Sequence, residues 1–241
     1  MEPLYILVQF GFVATTLFFF TLVIFQLKKA LGKSSFERPK QKRILQKVIG
    51  SLMLWMFVLS GLSLSGFFSK FDTMPPRFVI IVLVPLVTLI WVLLISKTTK
   101  HILTYVPKQT IINLQVFRVI VEILLWLLFI QNLLPIQMTF EGRNFDILAG
   151  VTAPLVAYFG IVKYQWPRSV LIVWNIISLG LLINIVTIAI LSFPTPFRHF
   201  MNEPANTIVA EFPFVWLPGF LVPLAYGLHF LSLRQLISLK G

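Results

Sequence analysis

Seven blocks of apolar residues, each about 18 to 25 long and almost free of charge, limit what this chain of 241 residues can fold into. A helix needs about 20 such residues to cross the hydrocarbon core of a bilayer. The blocks therefore predict an all-α integral membrane protein, a seven-transmembrane helix bundle with spans at about 3–26, 48–68, 78–95, 110–134, 145–164, 169–193 and 213–236. So many spans in 241 residues leave no room for a soluble domain, and the chain reads as one transmembrane domain.

The charges lie between the blocks and alternate in kind. Lys28, Lys29, Lys33, Arg38, Lys40, Lys42, Arg43 and Lys47 follow the first block against the single acid Glu37, and Lys97, Lys100, His101 and Lys108 follow the third with no acid. Lys163 and Arg168 separate the fifth and sixth blocks, and Arg234 and Lys240 end the chain. By the positive-inside rule these segments are cytoplasmic, with the N-terminus outside and the C-terminus inside. Fifteen of the twenty Lys and Arg residues then lie inside, while six of the eight acids lie outside. The net charge of +12 is explained by insertion and by contact with anionic lipid headgroups of the bilayer, and nucleic acid is not needed as a partner. The expected location is a bacterial-type cytoplasmic membrane.

The first block is preceded only by Glu2 and followed by basic residues, the reverse of a cleavable signal, so it is expected to remain as a helix. The chain has no cysteine, which excludes disulfides, thiolate metal sites and a cysteine nucleophile.

One span carries charge deep inside it. Arg118 and Glu122 sit one turn apart on one face of the fourth block, and Gln115 extends that face toward the basic end. Each such ion at a helix centre costs about 2.5–3.5 kcal/mol on insertion scales, so the face should turn toward protein or trapped water. Asn175 in the sixth block and Tyr226 and His229 in the seventh lie at similar depth and could complete a polar layer. One reading is that Arg118 and Glu122 neutralise each other and set packing. In the other, Arg118 binds an anionic group, Glu122 exchanges a proton and His229 relays it. Arg77, Glu141, Arg143, Asp146, Arg198, His199 and Glu203 form a second candidate site, a cap over the outer end, in which Arg143 and Asp146 could pair. Read plainly, those residues are a solvated rim of exchanging ion pairs.

Sharper activities lack their residues. The run GLSLSG, Gly61 to Gly66, resembles the nucleophile region of rhomboid-type intramembrane proteases, but that chemistry needs a histidine at the depth of the serines, and His229 lies toward the opposite end of its span. Close helix packing explains the run as well. The last block has no lysine for a retinal Schiff base, and three histidines at three depths cannot ligate a haem in pairs. No phosphate loop, dinucleotide fingerprint or HExxH motif is present, and neither cofactor nor metal is expected. The small residues Ala149, Ala153, Ala157 and Gly160 predict a close helix contact, whereas Asn175 and Asn184 point to opposite sides of their helix. The functional expectation is a transporter-like or small-ligand-binding membrane protein open to a solute or proton. The alternatives are a non-catalytic assembly subunit and a membrane enzyme acting on a lipid-soluble substrate.

Overall fold

The structure, a computed structural model, describes residues 3–71 and 76–238. Glu2, Asp72 and Lys240, which enter the charge pattern, lie outside the described residues. The fold is all-helical, with no strand among the described residues: α1 (Pro3–Lys33), α2 (Arg38–Leu64), α3 (Arg77–Ile95), α4 (Lys97–Leu103), α5 (Lys108–Asn113), α6 (Phe117–Phe129), α7 (Ile147–Ala157), α8 (Arg168–Leu191) and α9 (Val222–Ser238). A 3-10 turn joins α5 to α6, and π-turns extend α7 to Val162 and begin the last helix at Leu217.

Six of these helices are long and apolar enough to cross a membrane: Pro3–Lys33, Arg38–Leu64, Arg77–Ile95, Lys108–Phe129, Arg168–Leu191 and Leu217–Ile237. The fifth apolar block is shorter than expected. Its helix runs from Ile147 to Val162, about 24 Å at 1.5 Å per residue, against a hydrocarbon core of about 30 Å.

Several boundaries move for physical reasons. The basic stretch 28–47, read as a connection, is mostly helix: α1 continues to Lys33 and α2 starts at Arg38, because Lys, Arg, Gln and Leu are good helix formers and Pro39 suits a first turn. At this end Ala30, Leu31 and Ile102 form a small core with Phe36, Ile44 and Leu45 around them. His101 belongs to this contact, its ring 4.5 Å from that of Phe36 and its Nε2 3.1 Å from Ser35 Oγ. The segment after α3 is also helical, because Ser96 Oγ accepts from the Thr99 backbone N–H at 3.1 Å and caps α4.

Lys108–Phe129 and Leu217–Ile237 form the centre of the bundle, with 61% and 56% of their apolar windows buried, compared with 11% for α2 at the edge. α9 packs against α3, α5 and α8, and α6 packs against α1 and α7. α2 packs on α1 and is tied by side-chain hydrogen bonds to the start of the last helix and the loop before it. Trp55 Nε1 donates to Gly219 O at 2.9 Å, Trp216 Nε1 to Ser60 Oγ at 3.0 Å, and Ser63 Oγ to Ala210 O at 2.8 Å. Ser63 and Ser65 both donate to backbone carbonyls, which is a packing role.

The small-residue ridge of α7 behaves as its spacing predicts. Ala149, Ala153, Ala157 and Gly160 are buried, and Gly150 lies so close to α6 that a Cβ there would stand 2.9 Å from the Val119 backbone nitrogen and 3.3 Å from Arg118 Cβ. Gly150→Ala is expected to push α6 and α7 apart at a cost of about 1–3 kcal/mol. Gly180 on α8 has nothing within 4 Å of its would-be Cβ, so Gly180→Ala should stabilise by about 0.5–1 kcal/mol. Thermal unfolding of the two variants in detergent checks the pair. Equal effects would show that the α6–α7 approach does not require glycine.

Candidate functional site

Arg118 is 2% exposed near the middle of the span Lys108–Phe129, and it does not pair with Glu122. Its partner is Asp146: Nε donates to Oδ2 at 2.6 Å, and Nη2 donates to Oδ1 to complete a two-pronged ion pair. The pairing with Glu122 expected from the one-turn spacing is thus corrected. A base followed by an acid four residues later is the weaker order on a helix, and a rigid bidentate geometry is available from Asp146 instead.

The guanidinium also reaches two other helices. Nη2 lies 3.3 Å from Ser178 O on α8, and Nη1 lies 2.8 Å from His229 Nε2 on α9. Arginine has only donors, so His229 must accept at Nε2 and carry its proton on Nδ1. That proton goes to Asn175 Oδ1 at 2.9 Å, and Asn175 Nδ2 in turn donates to Leu171 O and Ser232 Oγ. One chain of hydrogen bonds therefore ties α6, α7, α8 and α9 through a neutral imidazole.

Glu122 forms a second, smaller group. Both of its carboxyl oxygens accept from Asn144 Nδ2, at 2.6 and 2.7 Å, while Asn144 Oδ1 accepts from the Asp146 backbone N–H at 3.0 Å. Asn144 is fully buried. The last interaction is an Asx turn, which sets Asp146 at the head of α7 and aims it at Arg118.

Of the inner-layer residues read from the sequence, Arg118, Asn175 and His229 are brought together in one network. Gln115 is buried one turn away, its Nε2 donating to Ala225 O at 3.2 Å and its Oε1 without a partner. Tyr226 is buried but makes no hydrogen bond to the network among the described residues.

The outer cap does not assemble as one site. Asp146 leaves it for the interior, so the expected Arg143–Asp146 pair is absent, and Arg143 lies over the Phe200 ring at 5.3 Å. Arg77 lies over Phe67 at 5.2 Å, and Glu141 Oε1 accepts from Trp126 Nε1 at 2.7 Å. Arg198 pairs with Glu203 at 3.0 Å, and His199 packs edge-on to Phe200.

Glu141 and Arg143 are exposed, but much of the segment between α6 and α7 is buried. Leu134, Gln137, Met138, Thr139 and Asn144 are all buried. The turn is tight enough that a Cβ on Gly142 would stand 2.7 Å from Gln137 Cα, so only glycine fits. Gln137 Nε2 donates to Ser192 Oγ at 2.9 Å, and Gln137 Oε1 accepts from Asn202 Nδ2 at 2.8 Å, fastening this plug to the long loop after α8. Asn144, Gln137 and Ser192 were missed in the sequence, although the apolar run Leu133–Met138 in a supposed outer loop was a visible signal.

A cavity of about 110 Å³ borders the ion pair. Phe78, Val82 and Leu86 line it from α3, and Leu182, Ile185 and Ala189 from α8, with Arg118, Glu122 and Asp146 as the only ionisable side chains of its wall among the described residues. α3 and α8 both lie on α9 but make little contact with each other. Val79 and Leu83 on one side and Val186, Ala189 and Ile190 on the other line the cavity while remaining partly exposed, so it opens between these helices. At the end near the long loop it is closed by Phe193, which meets Phe78 edge-on at 5.3 Å and stacks on Phe71 at 5.5 Å.

The two acids should respond differently to neutralisation. Asp146→Asn removes the carboxylate that holds Arg118 with both oxygens and is expected to cost about 3–5 kcal/mol. Glu122→Gln, opposite a neutral amide, should cost much less. Denaturation midpoints in detergent would decide, and equal losses would place Glu122 in the same ion pair.

No curated protein and no solved structure matches the chain. Residues 75–237, a stretch that takes in α3 to nearly all of α9, match the family described as a domain of unknown function, DUF8737. That match covers more than half of the sequence, and the chain belongs to the DUF8737 family.

Proposed function

We propose that the protein crosses the membrane seven times, N-terminus outside, and binds a small lipid-soluble molecule in the cavity between α3 and α8. The observation that carries this reading is an apolar cavity that ends on a charged wall and opens sideways. The outer surfaces of the two flanking helices are apolar and exposed, with Ile80, Val84, Val87 and Trp91 on α3 and Val173, Ile176, Ile177 and Ile183 on α8. In a bilayer such surfaces face acyl chains, so a ligand reaches the opening from the lipid.

Size bounds the ligand. A dry cavity of about 150 Å³ takes up benzene, so a space of about 110 Å³ holds one small ring or a short length of chain, with any remainder in the cleft. Four of the five N–H donors of Arg118 are engaged by Asp146, His229 and Ser178. In this reading Arg118 positions the wall and does not wait for an anion, which turns the function away from anionic solutes.

Seven crossings require α7 to pass from one face to the other despite its length. The buried plug before it supports this, because it lets the helix begin within the bundle with its backbone groups surrounded by protein. The basic ends of α1, α2, α4, α8 and α9 then share the cytoplasmic side, where anionic headgroups favour them.

The absence of cysteine gives a clean background for two tests. Ser35→Cys and Met201→Cys should label from opposite sides of the membrane with an impermeant maleimide, Met201→Cys from outside. Same-side labelling would mean that α7 does not cross. For binding, fluorine NMR of para-fluorobutylbenzene should show a bound resonance with the wild type that disappears in Val186→Trp, which fills the cavity while the fold is retained. A bound signal that survives this substitution would place the ligand elsewhere.

A further inference from the structure

The charge count of the cavity wall narrows the ligand to one chemical class, an inference that rests on the binding reading above. Two carboxyls, Glu122 and Asp146, and one guanidinium, Arg118, face the cavity. Asp146 takes Arg118 with both oxygens. His229 accepts from Arg118 and so adds no positive charge.

Among the described residues, the elements packed around Glu122 bring no further cation. On its own helix there is Arg118, before α7 there are Asn144 and Asp146, and α9 contributes His229 and Tyr226. α3 and α8 present only apolar side chains to the cavity, and the buried polar residues of α1 are the uncharged Thr15 and Thr16. Asn144 Nδ2 has two hydrogens, yet it serves both Glu122 oxygens and, at 3.0 Å, Met138 O. One carboxyl of the cluster thus lacks a counter-ion, and a net charge is costly in surroundings this apolar. Neutrality takes either a proton on Glu122 or a cation beside it in the cavity.

We infer that the cavity binds an amphipathic cation, an apolar body carrying an ammonium group, and that Glu122 gives up its proton as the cation arrives. The exchange balances in charge and atoms. One positive charge enters, the Glu122 O–H bond breaks, its electron pair stays on the carboxylate, and the proton leaves to bulk water. No redox partner is needed. An anionic ligand would add a second unpaired negative charge to the wall, and a neutral one would gain nothing from Glu122.

Benzyltrimethylammonium and its uncharged carbon isostere neopentylbenzene separate these cases, because they share a shape and neither can donate a proton. With the detergent-solubilised wild type in weak buffer, about one proton should be released per benzyltrimethylammonium bound, and affinity should rise about tenfold per pH unit while the empty site holds its proton. Neopentylbenzene should bind without proton release and without pH dependence. Glu122→Gln should lose the proton release and the pH dependence. Cation binding without proton release, or equal affinity for both probes at all pH values, overturns the inference and leaves the cavity reading standing. Binding of neither probe overturns both. The proton count is read on the wild type, so a variant that fails to fold does not decide the outcome.

Discussion

The bundle depends on how one buried guanidinium finds a counter-ion. Arg118 cannot be left bare inside an apolar helix, since a single such charge costs about 2.5–3.5 kcal/mol even on the gentler insertion scales. Its solution is the bidentate contact with Asp146, completed by His229 and Ser178. These partners come from three different helices or their ends, so satisfying one side chain fixes where α7, α8 and α9 stand around α6. Buried pairs of this kind add little net stability, because desolvation offsets most of the attraction. Their effect here is on arrangement: separating α7, α8 or α9 from α6 breaks a bond to the guanidinium.

The Asp146 contact explains the unusual segment before α7. For an acid to reach the middle of a membrane-length helix from a connection, the connection must fold inward, and its backbone must then be satisfied without water. The tight turns around Gly142, the Asx turn at Asn144 and the side-chain bonds of Gln137 to Ser192 and Asn202 meet that need. The short α7 is the counterpart of this plug. Residues that would otherwise lengthen the helix are used to fill the bundle's end, and Gly150 brings α7 close enough to α6 for Asp146 to meet Arg118.

The cavity follows from the same arrangement. α3 and α8 both pack on α9 and make little contact with each other; if their exposed apolar faces meet lipid, as proposed above, closing on each other gains them nothing. Phe71, Phe78 and Phe193 seal only the end near the long loop. Under the proposed function Arg118 serves as architecture, and the chemistry available to a visitor is that of Glu122, the acid with no ion-pair partner among the described residues. In the reading proposed above, the ion pair builds the wall and the second carboxyl does the recognising.

Much of the architecture was legible in the residues, and the candidate site only partly. The apolar blocks, the basic ends, the small-residue ridge on α7 and the opposite faces of Asn175 and Asn184 are local properties, written in hydropathy and in the 3.6-residue period. Arg118, Asn175 and His229 were recognisable as a layer because depth along a helix can be counted. The identity of Arg118's partner could not be counted, because Asp146 lies 28 residues away and reaches it only through the inward path of the plug. Asn144 and Gln137 were hidden for the same reason, since a polar residue in a connection reads as solvated until the connection is seen to be buried. Composition and periodicity thus determined that the chain is a set of apolar helices with one charged stripe. Tertiary structure alone decided which acid neutralises that stripe and which is left facing a cavity, because ion pairing in a dry interior is set by three-dimensional reach and geometry and not by spacing along the chain.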